Sequence, residues 1–179
     1  HILEQGALKQ NRTGVPAYTI ASVMFEHDMK KGYPLLTTKS IPFRLVASEL
    51  EFFIKGITDK KWLIDRNNHI WDEWANPKKA PYGHDPTSKQ RMLEERDLGP
   101  IYGWQWRHWN ADYDNYNTDY TGKGIDQLEN LVTKLEKNPD DRRMIVSAWN
   151  PSDLSQMGLP ACHYGFQVTV INDTLNLAW

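Results

Sequence analysis

The sequence contains a single cysteine, Cys162, among 179 residues. One cysteine cannot form a disulfide within the chain, and it cannot supply the CxxC pair of a zinc cluster. The thiol is therefore either a small hydrophobic group or a nucleophile. Because cysteine is scarce and no targeting segment is visible, we expect a protein of the reducing cytoplasm.

Several other features are also missing. No apolar run approaches the roughly 20 residues that span a bilayer, so we expect no membrane partner. The formal net charge of −2 gives no global basic field, so any phosphate group would have to bind a few local arginines. Walker, GxGxxG, GxSxG and HExxH motifs are absent, and the six histidines lack metal-ligand spacing, so no metal is expected.

What is present predicts an α+β fold, with a mostly antiparallel sheet flanked by helices. Residues that suit a pleated surface predict strands over residues 18–25, 144–149, 164–171 and 175–179. The last two strands would pair as a hairpin around Asn172 and Asp173.

Apolar residues at helical spacing predict two helices, over residues 45–54 and 125–135. The polar segments 76–97 and 110–123 predict irregular surface structure. We predict a single domain over residues 1–179 with a surface insertion at residues 76–96. Because the chain stops at Trp179 inside an apolar run, we expect a piece of a longer protein that is incomplete at its C-terminus.

Cys162 follows a Pro160-Ala161 turn and precedes the predicted strand that starts at Tyr164. A side chain at the start of a strand can face a cleft, and nearby arginines would favour the thiolate. The alternative is a buried structural cysteine. His163 is the adjacent candidate base; if both residues lie on the strand, their side chains face opposite sides, and His163 cannot take the proton of Cys162.

Arg142 and Arg143 form an adjacent pair before the strand at 144–149. A guanidinium presents a planar fork of donors that matches phosphate oxygens, although a solvated pair after a turn is an equally good reading. Two successive residues on a strand would point in opposite directions. Arg12, in the polar loop at residues 11–14, is a weaker candidate of the same kind.

Glu49 lies on the predicted apolar helix, where a carboxylate is costly unless it is hydrogen-bonded or functional. A raised pKa would let it relay protons, whereas the alternative is an exposed helical glutamate. Trp71 and Trp74 are three residues apart and could form core or a stacking wall for a flat heterocycle. Tyr102 has the same ambiguity.

The order of these blocks along the chain resembles the thymidylate synthase family. The matching blocks are residues 11–14, 34–39, 48–50, 70–75, 97–103, 105–107, 124–128, 141–143, 146–151 and 159–163. They cover nearly the whole chain apart from residues 76–96 and 110–123. Chance does not account for so many blocks in one order.

The resemblance implies reductive methylation of dUMP to dTMP, with 5,10-methylenetetrahydrofolate as the one-carbon donor and reductant, giving dihydrofolate. The residues it assigns to catalysis are Cys162, which adds to C6 of the uracil ring, Glu49 in a proton-transfer network, and Tyr102 near the thiol. The substrate-binding residues would be Arg12, Arg142, Arg143 and His163. Trp71, Trp74 and Glu49 would line the folate side.

The resemblance also implies a homodimer in which Arg142 and Arg143 act in trans on the partner's nucleotide. One departure is Ala161, where the family usually has a second proline before the cysteine. The family's pyrimidine-reading and ribose-binding residues follow the predicted hairpin and are absent here, so we expect this polypeptide alone to have little activity. Two alternatives remain, a dUMP or dCMP hydroxymethylase on the same scaffold, and a truncated, inactive nucleotide- or RNA-binding scaffold.

Overall fold

The computed structural model describes residues 1–11 and 14–179. The chain forms two compact units, His1–Ile41 and Pro42–Trp179, each with its own internal contacts. The first unit contains helix α1 (Ile2–Gln5), the antiparallel strands β1 (Ala7–Lys9) and β2 (Ala17–Thr19), and a 3₁₀ turn at Met29–Lys31. None of the described residues in these elements is buried. The single-domain assignment therefore stays a prediction.

The second unit contains the larger helices. They are α2 (Phe43–Ile54), α3 (Lys61–Ile64), α4 (Pro86–Glu94), α5 (Tyr102–Arg107) and α6 (Gln127–Lys137). The predicted helices over 45–54 and 125–135 correspond to α2 and α6. Asp126 is the N-cap of α6, and its carboxylate accepts the amide of Glu129 at 2.9 Å. None of the described helices is both long and apolar enough to cross a membrane.

The sheet of the second unit has three antiparallel strands in the order β3 (Ile145–Ser147), β4 (Gly165–Ile171) and β5 (Thr174–Ala178). The predicted hairpin is confirmed, because β4 and β5 pair through the turn at Asn172 and Asp173. Both turn residues have positive φ, 49° and 55°, as a two-residue turn between twisted strands requires. Antiparallel sheets accompanied by helices confirm the predicted α+β class.

The main core of the second unit lies where α2, α5 and the sheet meet. Its fully buried members include Phe52, Leu63, Leu98, Ile101 and Val146. Gly103 permits the close approach of α5 to α2, since a Cβ at this position would lie 2.6 Å from the carbonyl oxygen of Phe53. This approach brings the ring of Tyr102 to 4.7 Å from the ring of Phe53.

The predicted strand over residues 18–25 is wrong for most of its length. Only Ala17–Thr19 forms a strand, and residues 22–28 have no regular structure. The side chains of Val23, Met24 and Phe25 are exposed. Apolar composition favours a strand only where a partner strand and a packed face are available, and this segment has neither among the described residues.

The segment at 76–97 is more ordered than its composition suggests. It contains α4, whose N-cap Asp85 accepts the amides of Thr87 and Ser88, and its residues Asn76, Ala80, Met92 and Asp97 are buried. Asp97 accepts hydrogen bonds from Lys79, Gly99 and Tyr113. A charged side chain can be buried where such partners satisfy it. Whether residues 76–96 are an insertion stays a prediction.

Candidate active site

Glu49 and Trp71 form the first contact of the candidate site. The indole nitrogen of Trp71 donates a hydrogen bond to Glu49 Oε1 at 2.7 Å. Asn68 aligns the two segments, because its amide nitrogen donates to Leu45 O at 3.0 Å and Ser48 Oγ at 2.9 Å, both on α2. Since Asn68 is fully buried, these bonds fix the loop that leads to Trp71.

Burial raises the pKa of Glu49 above its ordinary value of 4.5. The hydrogen bond from Trp71 and the positive charge of His163 each offset part of this effect. The direction expected for the pKa of Glu49 agrees with the structure, and its role in proton transfer stays a prediction. A partly buried carboxyl of this kind is suited to move protons near neutral pH.

Tyr102 connects the core to the segment that carries Cys162. It is the first residue of α5 and is almost fully buried. Its hydroxyl oxygen accepts the amide N–H of Cys162 at 2.5 Å and, more weakly, that of His163 at 3.4 Å. Burial raises the pKa of Tyr102, so the hydroxyl keeps its proton at neutral pH and can donate it to a neighbouring group.

Cys162 lies in a bend before the sheet and not on a strand, since β4 begins at Gly165. The thiol is free and exposed, so the alternative of a buried structural cysteine is excluded. The condition under which the Cys162 and His163 side chains would face opposite sides is not met, because neither residue lies on a strand. Alternation between faces applies only to residues within a strand, and here both consecutive amides turn toward one hydroxyl.

His163 lies among aromatic side chains at the same bend. Its ring centroid is 6.3 Å from that of Tyr102 and 5.4 Å from that of Trp179. Its charge also acts on Glu49. The structure therefore places the Tyr102 hydroxyl and the His163 ring at the Cys162 bend, and Glu49 within electrostatic reach of His163.

The two tryptophans proposed for the folate side have different environments. Trp71 is only 4% exposed, and its ring packs edge-on against Phe53 and Tyr102. Trp74 is partly buried and stacks on Tyr82, with ring centroids 5.6 Å apart and planes at 12°. Trp71 can thus act on a ligand mainly through Glu49, whereas Trp74 lies nearer the surface.

The candidate phosphate arginines lie elsewhere. Arg142 and Arg143 belong to a turn before β3, so the expectation that they point in opposite directions along a strand was wrong. Among the described residues, no hydrogen bond or ion pair joins either of them to the Cys162 bend. Arg143 lines a groove of about 430 Å³ between α6 and β3, and Cys162 is not among the residues that line it. Arg12 lies outside the described residues.

Two buried polar residues were missed by sequence reasoning. Gln105 is fully buried under α5, where its side chain bonds Pro100 O and Asp153 and accepts from Asn150. Lys60 is almost fully buried beside the Trp71–Trp74 segment. Neither stands out in sequence, because a single glutamine or lysine is ordinarily exposed. Within the described part of the chain, no group of His, Cys, Asp or Glu is placed to hold a metal.

Comparison with known proteins identifies the family. The sequence profile named "Thymidylate synthase" matches residues 1–179. This chain belongs to the thymidylate synthase family. The resemblance inferred from the order of the sequence blocks is thereby confirmed.

The curated relatives that match are bifunctional dihydrofolate reductase-thymidylate synthases. The protein from Zea mays is 45% identical over 175 residues, which cover 98% of this chain and 33% of the relative. The protein from Arabidopsis thaliana numbered 1 is 43% identical, and that from Paramecium tetraurelia is 41% identical, with the same coverage of this chain. The chain spans about a third of the length of these relatives.

Proposed function

We propose that this protein methylates dUMP to dTMP, with 5,10-methylenetetrahydrofolate as the one-carbon donor and reductant. The observation that carries the proposal is the exposed thiol of Cys162 at a bend whose backbone amide donates to Tyr102, with Glu49 in electrostatic contact with the neighbouring His163. Family membership adds support, because the matching relatives are named as thymidylate synthases. Those names also favour methylation over the hydroxymethylase alternative.

Cys162 acts as the nucleophile in this proposal. Its thiolate adds to C6 of the uracil ring, and the ring electrons move to C5, which becomes the nucleophile for the one-carbon unit. An exposed thiol can meet a nucleotide without rearrangement of the core. The folate supplies both the methylene carbon and the hydride that completes the methyl group, and it leaves as dihydrofolate. C5 loses its proton to a base, and the Cys162–C6 bond breaks to release dTMP and the free thiol.

Glu49 moves protons at the base in this mechanism. Burial raises the pKa of its carboxyl, so Glu49 holds a proton more readily than an exposed glutamate and can pass it on. Trp71 fixes the orientation of the carboxyl by donating to one oxygen and leaves the other oxygen for substrate or water. Tyr102 holds the Cys162 amide and orients the bend.

For phosphate binding we propose a homodimer in which Arg142 and Arg143 contact the nucleotide of the partner. Their separation from Cys162 within one chain supports this arrangement, since the two parts must meet for both to act on one nucleotide. His163 and Arg12 complete the proposed set of substrate-binding residues. A mixed dimer of Cys162→Ala and Arg143→Glu subunits tests the arrangement, because activity should reappear when two inactive variants are combined. If mixing restores no activity, the arginine does not act in trans.

The function is tested by trapping the covalent intermediate. Incubation with 5-fluoro-dUMP and methylenetetrahydrofolate should add the masses of both compounds to the intact protein. The Cys162→Ser variant should show no adduct, because a hydroxyl at this position is not ionised at neutral pH. Product analysis with dUMP should give dTMP, and a hydroxymethyl product would support the alternative activity instead. A cytoplasmic location remains an expectation from cysteine usage.

A further inference from the structure

Lys60 is a buried cation that the proposed chemistry does not use. Lys60 is 1% exposed. Its Nζ donates hydrogen bonds to the carbonyl oxygens of Asp72 at 2.7 Å, Trp74 at 3.0 Å and Met92 at 2.5 Å. An ammonium group has three N–H donors, so all three are satisfied by backbone oxygens. The side chain is therefore held in one position, and it holds those carbonyls in turn.

The three carbonyls come from two different segments. Asp72 and Trp74 belong to the stretch at residues 71–75, which we call the wall segment. Met92 belongs to α4, so the Lys60 ammonium joins α4 to the wall segment. Lys60 is the N-cap of α3, and from there its side chain reaches both the wall segment and α4.

Two further contacts occur between the same segments. Met92 of α4 and Ala80 form a small buried cluster with Ala75, the last residue of the wall segment. Tyr82 stacks on Trp74 from the stretch before α4. The region at residues 76–94 therefore covers the wall segment through a polar contact at Lys60 and an apolar contact at Met92.

The wall segment also reaches Glu49. Its first residue, Trp71, donates to the Glu49 carboxylate at 2.7 Å. We infer that Lys60 is a positioning residue that fixes the wall segment against α4 and thereby sets the folate-side wall of the active site. The identity of the ligand in this inference rests on the proposed function. The coupling of α4 to the wall segment is independent of that function.

The pKa of Lys60 shows that burying this ammonium group has an electrostatic cost, which its three hydrogen bonds offset. Burial lowers the pKa of Lys60 to about 8, while the carboxylates of Asp72 and Glu95 oppose this shift. Replacing the ammonium with an apolar group of similar size would leave three buried carbonyl oxygens without a donor. Such groups then seek water or another donor, which moves the backbone that carries them.

The test compares Lys60→Met with Lys61→Met in steady-state kinetics. Lys61 is the matched control because it is adjacent, half exposed and paired with Asp65 at the surface. For Lys60→Met we expect KM for methylenetetrahydrofolate to rise about tenfold, with KM for dUMP changed less than about twofold. Lys61→Met should leave both constants unchanged. A purely structural role would lower the yield of folded protein and leave both KM values intact, which would overturn the inference.

Hydrogen exchange provides a readout that does not require activity. The amides of residues 71–75 and 87–94 should exchange at least about tenfold faster in Lys60→Met than in Lys61→Met. If Lys60→Met does not fold, Met92→Ala serves instead, because it weakens the apolar contact of α4 and should accelerate exchange in residues 71–75. Unchanged exchange in residues 71–75 in the variant that folds overturns the coupling. If the full-length wild-type protein forms no dTMP but exchange changes as expected, the proposed function fails and the positioning role stands.

Discussion

The Cys162 bend and the wall segment at residues 71–75 are held in opposite ways. The thiol at the bend is exposed, and the bend donates two backbone amides to the hydroxyl of Tyr102. The wall segment has buried residues at both ends, Trp71 and Ala75, receives two hydrogen bonds from Lys60 and donates one to Glu49. The reacting group is thus accessible, whereas the groups that set its surroundings are fixed. Changes at the bend should alter chemistry alone, and changes at the wall segment should alter stability as well.

The largest effect should come from Cys162→Ala. We expect dTMP formation to fall by about 10⁴-fold or more, because the covalent step is lost. The free energy of unfolding should change by less than about 0.5 kcal/mol, since the side chain is exposed. Kinetics and urea denaturation measure the two quantities. A large loss of stability would show that the bend is part of the core, and the contrast between the two regions would fail.

Glu49→Gln should have the next largest effect, lowering kcat by about 10²–10³-fold. The pH profile should also lose its acidic limb, which lies above pH 4.5 in the wild type because the pKa of Glu49 is raised. The raised pKa stabilises the folded state below pH 4.5, and that contribution is lost as pH rises through the raised value. The stability of Glu49→Gln relative to wild type should therefore increase with pH over this window. An unchanged limb would assign it to another group.

Tyr102→Phe should lower kcat/KM by about tenfold, because the Cys162 amide loses its acceptor and the bend becomes less ordered. The unfolding free energy should fall by about 1 kcal/mol, since one hydrogen bond is lost while the ring remains packed. Steady-state kinetics measure the change in kcat/KM, and thermal denaturation measures the change in unfolding free energy. An active and equally stable variant would mean that the bend is held by other contacts.

Trp71→Phe should change activity least and yet lower stability most among these variants. We expect a loss of about 1–3 kcal/mol in unfolding free energy, because a buried indole is replaced by a smaller ring. The Trp71 hydrogen bond lowers the pKa of Glu49, so its removal should move the acidic limb to higher pH. A limb that moves to lower pH would contradict this account of Glu49.

Several features of the fold were predictable from sequence, and others were not. The helices α2 and α6 and the β4–β5 hairpin follow from local periodicity and turn chemistry. The strand expected at 18–25 failed because apolar composition cannot supply a partner strand. The order in 76–97 was missed because a polar composition does not show that Asp97 is buried, where Lys79 and Tyr113, which are not its neighbours in sequence, satisfy it.

The candidate site shows the same division. Cys162, Glu49 and Tyr102 were predicted together through the family resemblance, and the structure places Tyr102 against the Cys162 amide. From its local sequence alone, each of these residues could equally have had a purely structural role. Lys60 had no distinguishing pattern, because its burial depends on three carbonyl oxygens from residues 12, 14 and 32 positions away.

The amino-acid sequence by itself determined the class of fold, the principal helices and the single available thiol, because these depend on composition and on neighbours within one turn. Tertiary structure alone decided that the Cys162 and His163 amides share the Tyr102 hydroxyl and that burial raises the pKa of Glu49. It also decided that Lys60 joins α4 to the wall segment. Burial and dielectric surroundings depend on which distant residues pack together, and that information does not reside in any local stretch of sequence.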